Sequence, residues 1–227
     1  MPQHSKRYRE AQKLIDRSKK YTAEEAVKLL QQVSKVKFDA GVEIHLNLGI
    51  DPKKADQIVR GTVSLPHGTG KKKRVAVFAE GKDADAARKA GADIAGGEEL
   101  IKEIKQKGAV DFEVAIAHPS MMRHLGQIAK ILGPKGLMPN PKNETVTPDV
   151  AGAVRDVQGG KVSFRNDDSG NIHQLVGRIS YEAPKLVENL AAYLEAVKRA
   201  RPAAAKGTYI VSATLSSSMS PGIPIVV

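Results

Sequence analysis

The residues best suited to chemistry lie in one run, Arg165-Asn166-Asp167-Asp168-Ser169-Gly170-Asn171-Ile172-His173. Arginine binds phosphates, and asparagine and histidine hydrogen-bond to ribose 2′-hydroxyls and base edges. Asn, Asp and Gly also dominate hairpin turns, and a turn alone would explain most of the run. The two interpretations are compatible. We therefore predict a turn at Asp167–Asn171 that brings Arg165 and His173, on adjacent strands, to one RNA-binding surface.

A glycine-bearing run, His67-Gly68-Thr69-Gly70-Lys71-Lys72, resembles a phosphate-binding loop only superficially. The Walker motif needs a glycine where Leu65 stands and a Ser or Thr where Lys72 stands. The glycines also precede a predicted strand, whereas those of a dinucleotide-binding fold follow one. We interpret this run as a flexible hinge beside the basic cluster Lys71–Arg74.

Constellations for catalysis or metal binding are missing from the sequence. The six histidines form no pair three or four residues apart, there is no cysteine, and no Gly-x-Ser-x-Gly motif occurs. Without cysteine, a zinc site, a disulfide and a thiol nucleophile are all disfavoured. The sequence therefore predicts a protein that is not an enzyme and that holds neither a cofactor nor a metal.

The charge balance points to a polyanionic partner. The formal net charge is +11 and the pI is about 9.7, which favours nucleic acid or an anionic membrane face. Residues 68–159 carry a surplus of only 3 positive charges, while the two ends together carry 8. Aromatic residues make up 4% of the chain, too few for a base-stacking platform, so structured RNA is the better target. No apolar run is long enough to span a membrane, and we expect no secretion signal.

The two ends of the chain share one style of secondary structure. Thr22 and Glu25 have the spacing of a capping box, which predicts a helix beginning there. Apolar residues then alternate with polar ones from Val42 to Ile50, as in a strand with one buried face. Similar patterns predict a surface helix within 3–20, strands at 162–165, 172–177 and 209–215, and a helix over 186–197.

The middle of the chain alternates strands with helices. Short continuous apolar runs at 74–79 and 112–117 are typical of strands covered on both faces. Helices are predicted at about 82–90, 98–107, 120–132 and 149–157. This alternation indicates βαβ units and a parallel sheet.

The predicted fold class is therefore α+β and α/β, in two domains. A discontinuous α+β domain is built from both termini, residues 1–67 plus 160–227, and an inserted doubly wound (Rossmann-like) βαβ domain covers 68–159. Two connections crossing one gap would form a hinge, at Gly68 and Gly70 in the first and at Gly159 and Gly160 in the second. The enzymatic alternative is a nucleotide-binding doubly wound enzyme that uses the insert as its pocket.

The run Leu132-Gly133-Pro134-Lys135-Gly136-Leu137-Met138-Pro139-Asn140-Pro141-Lys142 predicts a stiff loop. Its three prolines fix their own φ angles and exclude a helix interior or a central strand. We expect Leu137 and Met138 at the tip of the loop, flanked by lysines, on a corner of the inserted domain that suits contact with tRNA.

Taken together, these stretches closely resemble the ribosomal protein L-one family of the large subunit, over nearly the whole chain. The resemblance rests on the proline loop and on five further stretches: Lys37–Asp39, Leu48–Pro52, Val59–Lys71, Ala90–Asp93 and Phe164–Asp167.

The resemblance implies a non-enzymatic protein of the cytoplasmic ribosome, located in the mobile stalk beside the exit site. Its implied partners are 23S rRNA, other large-subunit components, deacylated tRNA at the exit site and the mRNA of its own operon, whose translation it would repress. The rRNA-binding positions that it implies are Lys37, Phe38, Glu43, Arg165, Asn166, Asp167, His173, Ser212, Ser218 and Met219.

Four places depart from the pattern of the family. Gly41 stands where a hydroxyl residue is usual, Asp168 where lysine is usual, and Glu144 where glycine is usual. Ser218-Met219-Ser220-Pro221 replaces Thr-Met-Gly-Pro. Since Asp168 removes positive charge near the expected RNA surface, we expect a flatter salt dependence of binding and a weaker interaction with the mRNA.

Overall fold

The structure is a computed structural model that describes residues 5–227. The elements, in chain order, are α1 (Lys6–Lys13), α2 (Ala23–Val33), β1 (Gly41–Leu48), β2 (Arg60–Ser64), β3 (Val75–Phe78), α3 (Lys82–Lys89), β4 (Ile94–Gly96), α4 (Glu98–Lys107), β5 (Val114–Ala117), α5 (Met122–Leu125), α6 (Ala129–Leu132), α7 (Val150–Gln158), β6 (Lys161–Arg165), β7 (Asn171–Arg178), α8 (Ala183–Arg199), β8 (Ile210–Ser217) and β9 (Ile223–Ile225).

These elements form two compact units. Unit 1 combines the described residues up to Gly70 with Val162–Val227, and unit 2 is Lys71–Lys161. The mixture of helices and strands confirms the predicted fold class. Each unit has its own apolar core, as an independently folding domain does.

Unit 1 is built around an antiparallel sheet in the order β7-β1-β8-β9. Val42, Ile44, Leu46 and Leu48 of β1 are buried in one cluster with the apolar stripes of α2 and α8. The helices therefore cover one face of the sheet. The predicted capping box is confirmed: Thr22 Oγ1 accepts from the Glu25 amide at 3.3 Å, and Glu25 accepts from the Thr22 amide at 3.0 Å.

A second sheet of two strands, β2 and β6, packs onto the same core. The ring of Phe164 on β6 meets that of Tyr193 on α8 edge to face, with centroids 5.6 Å apart. Gly61 on β2 permits this, because a Cβ there would lie 2.9 Å from the Phe164 ring. Pairing with β2 fixes β6, and so it fixes Arg165 and the turn that follows.

Unit 2 is a parallel sheet in the order β4-β3-β5, with helices on both faces. The four residues of β3 are fully buried. Val75 and Val77 face a cluster with α3 and α7, and Ala76 and Phe78 face one with α4 and the segment 121–132. The doubly wound arrangement is the one predicted.

Three predicted elements need correction. The continuous helix over 120–132 is wrong, because a 3-10 turn at Pro119–Met121 precedes α5 and a second one at Gly126–Ile128 separates α5 from α6; a glycine in mid-helix weakens the α ladder. The surface helix is confined to Lys6–Lys13, and residues 3 and 4 lie outside the described part. The strand at 209–215 is not the last one, since β9 follows it.

The proline loop also differs from its prediction. Leu137 and Met138 are half-buried against the apolar core of unit 2, and Pro139 is buried. The residues exposed at the bend are Gly133–Gly136. Gly136 allows the chain to turn there, because it adopts a φ of 68°. The apolar side chains fold inward because burial removes them from water, so the prediction that Leu137 and Met138 form the tip of the loop is wrong.

Candidate nucleic-acid interface

The second face of the β7-β1-β8 sheet is polar and open to solvent. Directly paired residues project from the same face of an antiparallel sheet. The register therefore sets Glu43, His45 and Asn47 of β1 beside Leu175, His173 and Asn171 of β7 and beside Ser216, Thr214 and Ser212 of β8. None of these nine side chains is buried. We call this set of nine residues the open face.

A line of hydrogen-bonding groups crosses the open face. His173 Nε2 lies 3.6 Å from Asp167 Oδ2, and His173 Nδ1 lies 2.8 Å from His45 Nδ1. His45 Nε2 lies 2.9 Å from Ser216 Oγ and 4.0 Å from Glu43 Oε2. Partial burial, and then the neighbouring His173 ring, lower the pKa of His45 against the opposing effect of Glu43. The line thus joins β7, β1 and β8 through titratable and hydroxyl groups.

One end of the open face is formed by the predicted turn. Asp167 Oδ1 accepts from the amides of Ser169 at 2.9 Å and Asn171 at 2.7 Å. The hydrogen bond from the Asn171 amide, and then that from the Ser169 amide, lower the pKa of Asp167. Gly170 completes the turn with a φ of 78°. The turn is as predicted, and it positions Asp167 toward His173.

The strands beside that turn are not arranged as predicted. Arg165 ends β6, which pairs with β2, whereas His173 lies on β7, which pairs with β1. The two residues therefore belong to different sheets and not to adjacent strands of one. Their positions are joined by the turn, in which the Asp167 amide donates to Asn171 O at 2.8 Å.

Asn166 is turned into the protein. It is 8% exposed, its Oδ1 accepts from the Val59 amide at 2.8 Å, and its Nδ2 donates to Asp167 O at 2.8 Å. Both polar atoms of this amide are occupied internally. The side chain therefore holds the turn against the start of β2. Direct contact of Asn166 with RNA stays a prediction from the resemblance.

At the other end of β1, two loops meet. The Ser218 amide donates to Gly41 O at 3.0 Å, which joins the loop after β8 to the start of β1. Phe38 is 53% exposed and Met219 is 70% exposed. Met219 has a φ of 66°, a left-handed conformation that costs a non-glycine residue free energy. Both apolar side chains are thus held in solvent.

The predicted site residues therefore fall into three groups. Glu43, His173 and Ser212 lie on the open face; Arg165, Asn166 and Asp167 lie at the turn; Lys37, Phe38, Ser218 and Met219 lie at the loops near Gly41. Six residues of the open face were missing from the prediction: His45, Asn47, Asn171, Leu175, Thr214 and Ser216. The polar alternation of β1 was a signal for the first two, but the partners on β7 and β8 depend on register.

The first connection between the units is fastened to unit 1. The fully buried Asn189 accepts from the His67 amide at 3.0 Å and donates to Gly68 O at 2.9 Å and Val176 O at 2.8 Å. A Cβ on Gly70, whose φ is 71°, would lie 2.8 Å from Arg178 Cγ. The chain is therefore anchored to unit 1 as far as Gly70.

The second connection begins at the end of α7. Gly159 has an ordinary φ of −71° at the C-cap of α7, and Gly160 has a φ of 109°. Lys161 pairs with Glu144 and, at 3.4 Å, with Asp156. Burial opposes the ammonium, but these two carboxylates raise the pKa of Lys161 overall.

The cleft at the carboxyl ends of β3 and β4 is unsuited to a nucleotide. Helices α3 and α4 begin there, at Gly81 and Gly97, as in nucleotide-binding folds. The charged residues that line it are four carboxylates and two cations: Glu80, Asp85, Glu98, Glu99, Arg88 and Lys102. Arg88 is bound to Asp85 at 3.2 Å. Excess negative charge would repel phosphates, which argues against the enzymatic alternative.

Residues 5–227 contain neither a candidate metal site nor a membrane-spanning helix. Among them, no three His, Asp or Glu side chains gather in a way that could hold a metal ion. In the same part of the chain, every helix is too short or too polar to cross a membrane.

Comparison with known proteins shows which family the chain resembles. The model of the ribosomal protein L1p/L10e family matches residues 30–221. The chain is 54% identical to the large ribosomal subunit protein uL1 of Mycolicibacterium smegmatis, over 99% of this chain and 95% of that protein. The proteins of the same name from Thermobifida fusca (54%, over 97% of this chain and 94% of that protein) and Kosmotoga olearia (52%, over 99% and 97%) are similarly close.

Proposed function

The chain belongs to the ribosomal protein L1p/L10e family, and on that premise we propose that unit 1 binds a folded segment of 23S rRNA. Members of this family are structural constituents of the large ribosomal subunit and not enzymes, so this protein works as part of the cytoplasmic ribosome. The rRNA contact is the step that would hold it there.

The observation that carries the proposal is the open face with its two flanking groups. Hydroxyl, amide and imidazole groups can hydrogen-bond to the 2′-hydroxyls and base edges of folded RNA. At one end Arg165 is exposed and available to a phosphate, and at the other Phe38 and Met219 offer apolar contact to a sugar or base. This combination recognises RNA shape without the aromatic platform that single-strand readers use.

Substitution at the loop near Gly41 tests the proposal. Met219→Ala and Ser218→Val should each weaken binding of a 23S rRNA fragment by about tenfold, because a good interface contact is worth roughly 1–2 kcal/mol. Leu14→Ala is the matched control, since Leu14 is 55% exposed on unit 1 but lies beyond the open face. If Met219→Ala and Ser218→Val bind the fragment as tightly as the wild type and Leu14→Ala do in a filter-binding titration, these loops are not part of the interface.

Unit 2 would be the moving part, close to deacylated tRNA as it leaves the exit site. Its separate sheet and separate cores support independent motion. Because the first connection is anchored as far as Gly70, the pivot on that side would begin at Lys71; on the other side it would lie beside Gly160. Lys135 and Lys142, both exposed, are the candidates for contact with tRNA phosphates in place of the half-buried Leu137 and Met138.

Repression of the protein's own operon would use the same surface of unit 1. An mRNA site that imitates the rRNA would meet the same open face, so the two RNAs would compete. Asp168 is exposed beside the turn and adds negative charge there. That charge would repel both RNAs, and the mRNA, as the weaker ligand, would lose binding first. Competition between the rRNA fragment and the operon leader for one binding site would test this; simultaneous binding would contradict it.

A further inference from the structure

We propose that His45, His173 and Ser216 form a proton-linked contact for a phosphate oxygen of the RNA backbone. In this arrangement the histidine pair takes up one proton as RNA binds, and Ser216 becomes an outward hydrogen-bond donor. The inference rests on the proposed RNA-binding function and deepens it, since it names three residues of the open face and a chemical step in binding.

The geometry of the neutral pair fixes the direction of its hydrogen bonds. A separation of 2.8 Å between the two Nδ1 atoms requires one ring to donate and the other to accept. His173 Nε2 faces the Asp167 carboxylate, so a neutral His173 keeps its proton on Nε2 and accepts at Nδ1. His45 must then donate through Nδ1, and its bare Nε2 accepts from the hydroxyl of Ser216. In this state the Ser216 proton points inward.

One added proton reverses the last of these hydrogen bonds. If His173 takes the proton, it donates through Nδ1, and His45 must carry its own proton on Nε2. If His45 takes the proton, both of its nitrogens are donors. In both cases His45 Nε2–H donates to Ser216 Oγ. The Ser216 hydroxyl keeps its proton and turns it toward solvent, where it can donate to a ligand. A second proton would set two N–H groups against each other at 2.8 Å, so the pair takes up one only.

The charges facing the pair explain why RNA would promote this uptake. Glu43 of β1 and Asp167 of the turn face it, while β8, from Ile210 to Ser217, contributes hydroxyls and no titratable group. With a neutral pair these groups carry two negative charges, which repel a phosphate. One proton offsets half of that charge, and the potential of a bound polyanion stabilises the proton in return.

The sign of the pH dependence follows from linkage. RNA binds the protonated pair better, so affinity is highest at low pH and falls as the pH rises through the titration of the pair. One linked proton changes the affinity by at most about tenfold per pH unit. Burial and the second ring lower the pKa of His45, which favours its neutral form in the free protein.

The experiment is a titration of the full chain with a 23S rRNA fragment at constant ionic strength between about pH 5.5 and pH 8, the range in which histidine titrates. The wild type should lose about tenfold in affinity across the range. His173→Gln should lose only about threefold, because the pair no longer takes up its proton. His124→Gln is the control: it removes a histidine of unit 2, and its pH profile should match the wild type.

Ser216 supplies a second test that leaves both histidines in place. Ser216→Ala should weaken binding several-fold near pH 6 and match the wild type near pH 8, where the hydroxyl points inward. Thr214→Val removes a hydroxyl from the same face that does not bond to either histidine, so any loss of affinity should be equal at both pH values.

Three outcomes would overturn the proposal. If wild type and His173→Gln share one pH profile, or if Ser216→Ala loses the same factor at every pH, the pair is not proton-linked, while rRNA binding itself stands. If the wild type does not bind the fragment at any pH, the proposed function fails and the inference fails with it.

Discussion

Asn166→Ala should destabilise unit 1 and weaken RNA binding through the position of the turn. The substitution removes two hydrogen bonds and leaves the buried Val59 amide without its acceptor. A net hydrogen bond contributes about 0.5–1.5 kcal/mol, and an unsatisfied buried donor costs about 1–3 kcal/mol. The free energy of unfolding of unit 1 should therefore fall by about 2–4 kcal/mol.

The tyrosines make this measurable for unit 1 alone. All five lie in unit 1, and the chain has no tryptophan, so tyrosine fluorescence during urea denaturation follows that unit. Two matched variants frame the result: Arg165→Gln should weaken RNA binding without changing stability, and Ser163→Ala, exposed on β6, should change neither. If Asn166→Ala keeps its stability but loses affinity, the side chain contacts RNA directly and the positioning argument is refuted.

Three further outcomes are expected. Replacing Lys71–Lys161 by a short glycine-serine linker should leave the affinity for the rRNA fragment within about threefold of the full chain, because unit 1 has its own core; a larger loss in a filter-binding assay would assign contacts to unit 2. Met219→Gly should raise the free energy of unfolding by about 1 kcal/mol in urea denaturation, by relieving the left-handed backbone, yet weaken RNA binding; a stability below that of Met219→Ala would contradict this. Lys37→Gln and Arg165→Gln should each lower the slope of log affinity against log salt by about 1, and an unchanged slope would exclude phosphate contact there.

Local patterns in the sequence were enough to predict most of the fold. The capping box at Thr22, the alternation along β1 and the apolar runs of unit 2 each depend on neighbouring residues only. The edge strand β9 was missed because Pro224 interrupts its pattern; an edge position tolerates the missing amide. The proline loop was recognised, but its local stiffness does not determine where Leu137 and Met138 pack.

The candidate site was harder to predict, because its geometry depends on contacts between distant parts of the chain. His45 pairs with His173 and with Thr214, and a shift of one residue in either register would turn the partners to the other face. The resemblance supplied Glu43 and Ser212, and the run Arg165–His173 already indicated His173, but neither gave the residues between them. Likewise, the sequence around Asn166 indicated a polar contact, and only the fold shows that its partners are Val59 and Asp167.

Mapping the RNA contact by NMR tests the central claim most directly. With isotope-labelled protein and a 23S rRNA fragment, the amides of Glu43, His45, His173 and Ser212 on the open face should shift together on binding. Lys28 of α2 and Glu195 of α8, on the helices that cover the opposite face, should stay unchanged. Shifts confined to those helices, or to unit 2, would contradict the account.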